Sequence, residues 1–207
     1  LLKMLVERLS KRPHIALTRL WLALPGDICS TCSLRADCPG QKRCLHLRAS
    51  AGKPIAGKNA DWSRLDGDFR RIPFGVGKIG RIAAAGKQLL VTDINAEPRW
   101  LKRASWIKRE KILGFSGQPL VCKGQVLGVV AIFTRIPVTL DGEGSVWLRM
   151  IADHAAAAIA NARAFEEIEH LQRQLELENT YLIEAARESY AYGDIIGQSP
   201  ALRSVIR

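Results

Sequence analysis

The feature that most constrains this chain is a long stretch without proline, from Glu143 to the residue before Pro200. Proline ends or kinks helices. Its absence from a stretch with a helical sequence pattern therefore predicts one continuous helix through most of the last third of the chain. The beginning, Trp147 to Ile159, has the pattern of a helix that packs on its own domain. Past Phe165, no local sequence remains for the helix to pack on.

A heptad pattern marks the part of this helix beyond Phe165. Apolar residues recur every seven positions at Ile168, Leu175 and Leu182. The companion apolar position of the heptad is occupied by Leu171 and Ala185 and is interrupted by Glu178. This spacing is typical of a short coiled coil. It predicts a parallel homodimer through the C-terminal helix, the alternative being a single amphipathic helix folded onto its own domain.

The segments before the long helix alternate between strand-like and helix-like patterns. Strands are predicted at 15–24, 45–49, 88–94, 115–122 and 125–135, and helices at 1–10, 77–86 and 98–111. Lys123 and Gly124 join the last two strands in a tight turn, whereas 53–68 is polar and predicted to be a loop. The order predicts an α+β fold with a mixed or antiparallel sheet and helices on both sides.

Composition limits the function classes. The 207 residues are 47% hydrophobic and 25% charged, a globular balance, and the chain starts without the apolar stretch of a secretory signal. We therefore expect a cytoplasmic protein with no membrane contact. The net charge is +11, and the basic residues are spread along the chain, apart from one cluster between Arg99 and Lys111. Without a groove-reading helix or an aromatic stacking platform, we expect no direct contact with nucleic acid.

Four of the five cysteines lie close together, in the spacing C-x2-C-x5-C-x5-C, at Cys29, Cys32, Cys38 and Cys44. If the flanking strands pair as a hairpin, the first and last of these cysteines lie at the two ends of the connecting loop, and the other two lie inside that loop. All four sulfurs could then meet. Clustered cysteines in a reducing compartment more often bind metal than form disulfides, so we predict a four-cysteine metal site.

The identity of the metal is left open between two candidates. Four sulfur ligands suit an iron–sulfur cluster (4Fe-4S or other) or tetrahedral zinc. The five residues between Cys38 and Cys44 are more than the two that a structural zinc site usually has, and this wider spacing favours the cluster. A thiol–disulfide switch and inert cysteines are further alternatives. A local surplus of basic residues is expected to lower the thiol pKa values. His46 is a fifth candidate ligand, but on an alternating strand we expect it to face outward, and Cys122 is expected to be a small buried hydrophobe.

Two glycine motifs and one histidine do not support catalysis. Residues 75–80 spell G-x-G-x-x-G, but without the flanking strand and acidic residue of a dinucleotide site, and we expect an ordinary turn into a helix. Residues 52–59 nearly spell a phosphate-binding loop, but Asn59 replaces its serine or threonine. His154 is expected to be a packed helix histidine. We predict no catalytic residues.

Several separated motifs together resemble a GAF domain. They are "RIPFGVGKIGRIAAAGKQLLVTDI" at 71–94, "PRW" at 98–100, "GFSGQPLVCKGQVLGVVAIFTR" at 114–135 and "IADHAAAAIANARAFEEI" at 151–168. The resemblance implies a cytosolic sensory module with an antiparallel sheet flanked by helices. It places a GAF sensory domain at 1–164, with a cysteine-rich loop at 27–47, followed by a coiled-coil signalling linker at 165–190.

The end of the chain carries a second resemblance. "YGDIIGQSPALRSVIR" at 192–207 is similar to the opening of the AAA+ domain of sigma-54-dependent (RpoN-type, NtrC/NifA-like) transcriptional regulators. The resemblance implies that residues 191–207 begin a truncated AAA+ domain, and that the parent protein is an ATPase whose catalytic motifs are absent here. The implied partners are that AAA+ domain and, through it, sigma-54 RNA polymerase.

Three functional hypotheses follow. The first is a regulator that senses redox state or a gas through the four-cysteine iron–sulfur site and signals through the paired helix. The second is a small-molecule-binding GAF domain, with its pocket near Trp106 and a structural zinc on the cysteines. The third, an enzyme resembling free methionine sulfoxide reductases, is disfavoured by the long helix and the clustering of the thiols in one loop.

Overall fold

One central sheet organises the N-terminal part of the chain. The computed structural model describes residues 1–40, 42–55, 60–96, 104–138, 143–191 and 199–205, and it divides into two compact units, Leu1–Ala160 and Asn161–Arg207. Within the first unit the described strands are Ile15–Pro25 (β1), Arg43–Gly52 (β2), Arg71–Pro73 (β3), Leu89–Val91 (β4), Gly114–Cys122 (β5) and Gln125–Thr134 (β6). They form a sheet in the order β3-β2-β1-β6-β5-β4, with every neighbouring pair antiparallel.

The sequence pattern explains why β1 and β6 lie at the centre of the sheet. Both strands are apolar on nearly every residue and buried over most of their length. A strand covered on both faces needs such a continuous apolar run. The edge strands β3 and β4 are three residues each.

Helices cover the two faces of this sheet. The described helices are Leu2–Ser10 (α1), Gly77–Ala85 (α2), Ala104–Arg109 (α3), Glu143–Ala191 (α4) and Pro200–Val205 (α5). On one face, Val6 and Leu9 of α1 pack in a cluster with Leu148 and Ala152 of α4. On the other face, α2 and α3 contribute to a second cluster through Ile79, Ile82 and Ile107. Burying one large apolar side chain contributes about 2 kcal/mol, so both clusters stabilise the fold substantially.

Most of the predicted elements are confirmed. The tight turn at Lys123 and Gly124 has two positive φ angles, 48° and 76°, and α2 ends at Gly86 in the left-handed conformation. The strand predicted at 88–94 is shorter, because a 3-10 turn at Ile94–Ala96 buries Ile94 and ends the strand early. Of the helix predicted at 98–111, residues 98–103 lie outside the described part. In the part of the chain that the structure describes, no helix is both long and apolar enough to cross a membrane.

The second unit consists of the end of α4 and α5. Along α4 beyond Ala160, the heptad residues Ile168, Leu171, Leu175 and Leu182 are exposed in this single copy. The coiled coil therefore stays a prediction. About half of the predicted start of an AAA+ domain at 191–207 lies outside the described residues, which include Ala191 and 199–205 of it.

Candidate ligand cavity and cysteine loop

A cavity of about 200 Å³ lies on the face of the sheet that α2 and α3 cover. Its lining is mostly apolar, and its aromatic members are Trp21, Trp62, Phe69, Trp106, Phe115 and Phe133. An apolar cavity of about 150 Å³ is large enough for a benzene molecule. The cavity therefore has room for a small organic ligand.

The aromatic rings of the lining hold one another in place. The ring centroids of Trp62 and Trp106 lie 5.6 Å apart, and those of Trp106 and Phe133 lie 5.8 Å apart. Both distances are typical of favourable aromatic pairs. Trp21 donates a hydrogen bond from Nε1 to the backbone oxygen of Phe69, at 2.9 Å. These contacts hold the aromatic part of the cavity wall together.

Two basic side chains and a helix terminus add positive charge to this apolar lining. Arg19 lines the cavity from β1 and donates a hydrogen bond from Nε to Ser50 Oγ at 3.2 Å. Lys78 lines it from the first turn of α2, with Nζ 5.7 Å from the centre of the Phe115 ring. The α2 N-terminus, which carries no side-chain cap, also faces the cavity through Val76 to Ile79.

The glycine motif at 75–80 builds this terminus. Gly75 and Gly77 have positive φ angles of 82° and 61°, which allow the chain to turn sharply from β3 into α2. At Gly80, an added Cβ would lie 2.2 Å from the backbone oxygen of Pro73. The predicted turn into a helix is confirmed, and the motif is part of the cavity wall. The near phosphate-binding motif at 52–59 extends into residues 56–59, which lie outside the described part.

Glu110, the first residue after α3, anchors the wall that α3 provides. Its side chain is 1% exposed, and its Oε2 accepts a hydrogen bond from the backbone N–H of Ile55 at 2.8 Å. Arg135 Nη2 lies 3.8 Å from the same oxygen, and Arg135 Nε donates to the Glu110 backbone oxygen at 3.2 Å. This buried carboxylate ties α3, the segment after β2 and the end of β6 together.

The four clustered cysteines lie in and just after the connection between β1 and β2, which we call the cysteine loop (Gly26–Lys42). The predicted hairpin is confirmed, because Leu24 pairs with Cys44 and Pro25 with Arg43. Cys29 is exposed, the other three are half-buried, and all are free thiols. Among the described residues, no group of three or more histidine, cysteine or acidic side chains is arranged to hold a metal ion. The donor set suits a metal, but its sulfurs are not gathered in this conformation.

Cys44, just after the loop, lies within electrostatic range of two of the other thiols. Burial raises the pKa of Cys44 to about 11, and the neighbouring Cys29 and Cys32 add to the increase against the opposing charge of Arg71. The expectation that basic residues lower the thiol pKa values is thus wrong for Cys44, because burial outweighs the nearby positive charge. Arg71 donates hydrogen bonds to both carboxylate oxygens of Asp27, at 2.8 and 2.6 Å, and holds the pKa of Asp27 well below its usual range.

Three residues differ from the sequence-based expectation in how far their side chains are exposed. His46 is 4% exposed rather than outward-facing, because it lies between Leu22 of β1 and Arg71 of β3 and close to Asp27. Burial lowers the pKa of His46, and Nε2 has no hydrogen-bond partner among the described residues. His154 is exposed on α4 rather than packed. Cys122 is half-buried and packs against the α1 and α4 cluster.

The comparison of the sequence with known families decides what kind of domain this is. The sequence profile of the GAF domain family matches residues 15–159, more than half of the chain. This chain belongs to the GAF domain family. The match begins with β1 and ends in the first part of α4, so the cavity and the cysteine loop both lie inside the GAF domain.

Part of this chain is weakly similar to a transcriptional regulator. The formate hydrogenlyase transcriptional activator FhlA of Escherichia coli (strain K12) is 34% identical over 90 residues. These residues are 43% of this chain but only 13% of the length of FhlA. The similarity therefore concerns a small part of that activator.

Solved structures confirm the GAF fold. The GAF domain of a phosphoenolpyruvate-protein phosphotransferase (ptsP) from Coxiella burnetii has a TM-score of 0.56 and 23% identity, covering 79% of this chain and 82% of its own. A type II free methionine-R-sulfoxide reductase from Thermoplasma acidophilum has a TM-score of 0.55 and 16% identity, covering 77% and 89% respectively. At these identities the likeness extends to the fold alone, which a domain of a phosphotransferase and a reductase share.

Proposed function

We propose that this GAF domain is the sensory module of a transcriptional regulator and that it binds a small organic anion with an apolar body in the aromatic cavity. The observation that carries the proposal is the lining itself. Six aromatic side chains surround the space, and Arg19, Lys78 and the uncapped N-terminus of α2 border it. Apolar pockets with a few placed polar groups are the usual sites of small ligands.

The charge distribution selects the class of ligand. The N-terminus of a helix carries partial positive charge and backbone N–H groups that bind anions. Two cationic side chains beside it add charge-assisted hydrogen bonds, which are stronger than neutral ones. The aromatic walls favour an apolar remainder. A carboxylate on a compact apolar body therefore fits better than a neutral or highly polar molecule.

Benzoate is a suitable probe, with benzamide as its uncharged counterpart. We expect titration calorimetry to show at least about tenfold tighter binding of benzoate, because only the carboxylate gains charge-assisted hydrogen bonds. Lys78→Met should weaken benzoate binding by about tenfold, whereas Lys87→Met, at an exposed position after α2, should change it by less than about twofold. No binding, or equal binding of the two probes, would overturn the proposal.

The proposed output is transcriptional and passes through the C-terminal helix. Similarity to a segment of FhlA supports a role in transcription regulation. The exposed heptad residues of α4 support a homodimer that transmits the signal in the cytoplasm. The partners that we propose are an AAA+ domain and, through it, sigma-54 RNA polymerase, because of the resemblance of residues 192–207.

A second candidate function uses the cysteine loop as a metal site. It is supported by the influence of Cys29 and Cys32 on the pKa of Cys44, which indicates that these three predicted ligands lie within electrostatic range of one another. An iron–sulfur cluster held by Cys29, Cys32, Cys38 and Cys44 would supply a centre that responds to redox state or gases. Zinc on the same residues would have a structural role.

Metal analysis after anaerobic purification distinguishes the iron–sulfur cluster from zinc. A brown protein with iron and acid-labile sulfide would support the cluster, one zinc per chain in a colourless protein would support zinc, and a metal-free protein would contradict both. The binding of four thiolates must release protons, since burial keeps Cys44 protonated.

We further propose that the domain is regulatory rather than enzymatic. The match to the GAF family and the partial similarity to FhlA support this view. Incubation with free methionine sulfoxide and a thiol reductant should give no turnover above that of a variant in which all five cysteines are serine. Cysteine-dependent turnover would overturn this assignment.

A further inference from the structure

We propose that the cysteine loop is an adjustable wall of the ligand cavity, so that a chemical change at Cys32 or Cys38 alters the affinity of the cavity for its ligand. This inference rests on the ligand binding proposed above. Its starting point is Leu34, which lies between these two cysteines in the sequence and lines the cavity. Leu34 also packs against the apolar cluster under α2 and α3.

Backbone hydrogen bonds connect Arg35, the residue after Leu34, to both cysteines. The N–H of Arg35 donates to the backbone oxygen of Cys32 at 3.0 Å, and the N–H of Cys38 donates to the backbone oxygen of Arg35 at 3.1 Å. The first of these bonds closes a turn that contains Leu34, and in the second turn the N–H of Asp37 also donates to the backbone oxygen of Leu34, at 3.2 Å. A displacement of either cysteine is therefore transmitted to Leu34 through the backbone.

The loop is attached to the rest of the domain at a few points. Ser33 Oγ donates to the backbone oxygen of Asp68 at 2.7 Å, and Asp27 at the start of the loop pairs with Arg71 of β3. The described part of the loop contains turns but neither helix nor strand. Such a segment can shift against the sheet at a lower free-energy cost than a strand in the core.

The two sites are then linked thermodynamically. A ligand that contacts Leu34 binds best to one position of the loop, and a change at the cysteines that favours another position weakens binding. The linkage is reciprocal, so the ligand also alters the affinity of the cysteines for whatever binds them. Coupling between two such sites is typically about fivefold or more.

Single-cysteine variants test the coupling directly. One variant keeps Cys32 and the other keeps Cys122, with the remaining cysteines changed to serine. Both thiols are half-buried, but Cys122 lies on β5 and packs against the opposite face of the sheet. Each is alkylated with N-ethylmaleimide, and complete modification is checked by mass. The dissociation constant for benzoate and the tryptophan emission, to which Trp21, Trp62 and Trp106 in the cavity wall contribute, are then measured.

We expect alkylation at Cys32 to change benzoate affinity by about fivefold or more and alkylation at Cys122 by less than about twofold. Adding Leu34→Ala to the Cys32 variant should reduce the effect of alkylation to less than about twofold, because the connecting wall residue is lost. No effect at Cys32, equal effects at both sites, or an effect that survives Leu34→Ala would overturn the inference.

A result that contradicts the proposed ligand binding can be told apart from a result that contradicts the coupling. If benzoate binds to none of the variants, the proposed ligand class is wrong. The tryptophan emission still decides the coupling. A change on alkylation of Cys32 that is absent at Cys122 and lost with Leu34→Ala supports the moving wall, and an unchanged emission contradicts it.

Discussion

Single residues set the shape of the cavity. Gly80 lets α2 approach the end of β3 more closely than any side chain would permit, and Arg19 brings a charge onto the buried face of a central strand. On the same strand face lie Leu17 and Trp21, which also line the cavity. An arginine in an otherwise apolar strand is therefore the sequence signal that could have located this site.

Gly80→Ala should destabilise the domain by about 1–3 kcal/mol. The added Cβ would lie 2.2 Å from the backbone oxygen of Pro73, so α2 must shift. Urea unfolding followed by circular dichroism measures the change. Gly67→Ala is the matched control, because an added Cβ there would meet nothing within 4 Å. Equal stability of the two variants would show that α2 moves without cost.

Cys44 should react slowly with iodoacetamide in the metal-free domain. Its pKa is raised to about 11 by burial, so at about pH 8 its thiolate fraction is about a hundredfold below that of an unperturbed cysteine. The reaction rate should rise with pH until the pKa is passed, and urea should abolish the protection. Peptide mapping after timed alkylation measures it. A rate equal to that in urea would contradict the assigned burial.

At the level of elements, strong patterns were predictable and long-range contacts were not. The continuous apolar run of β6 and the glycines around α2 predict their elements because local sequence determines them. The burial of His46 was not predictable, since it depends on Arg71 and Asp27 from other segments. Neither was the position of Leu34, which follows from the path of a loop without regular structure. The cysteine cluster was visible as spacing, but spacing does not fix where each sulfur lies.

Glu110→Ala should cost about 1–3 kcal/mol of stability. The change leaves the N–H of Ile55 without its acceptor and removes the buried carboxylate beside Arg135. Glu7→Ala on α1 is the control, since Glu7 makes a surface pair with Lys3 at 4.0 Å, worth at most about 1 kcal/mol. Thermal and urea unfolding should separate the two variants. A small loss at Glu110 would mean that water replaces its partners.

At the scale of the whole molecule, a compact sensory unit is followed by a helix whose apolar residues are exposed. In the described part of the second unit, Asn161–Arg207, the heptad residues are exposed, and the proposed pairing with a second copy would bury them. The proposed signal therefore leaves the sensory unit through α4. The oligomeric state is the property that tests this arrangement.

Leu175→Asp should weaken the dimer at least about tenfold by placing a charge in the heptad seam. Leu177→Asp makes the same substitution on the same helix, off the seven-residue repeat. The two leucines are similarly exposed in the single chain, at 64% and 74%. Sedimentation measures both variants. Equal behaviour of the two would contradict the heptad seam.

The strand order also has a consequence for synthesis of the protein on the ribosome. Strand β1 lies between β2 and β6, so its pairing is complete only after residue 134 has been made. The cysteine loop emerges well before that point. Non-local pairings of this kind fold late. During that interval the completed sheet does not yet hold the thiols of the loop in place, so the proposed metal site would be accessible before the fold closes.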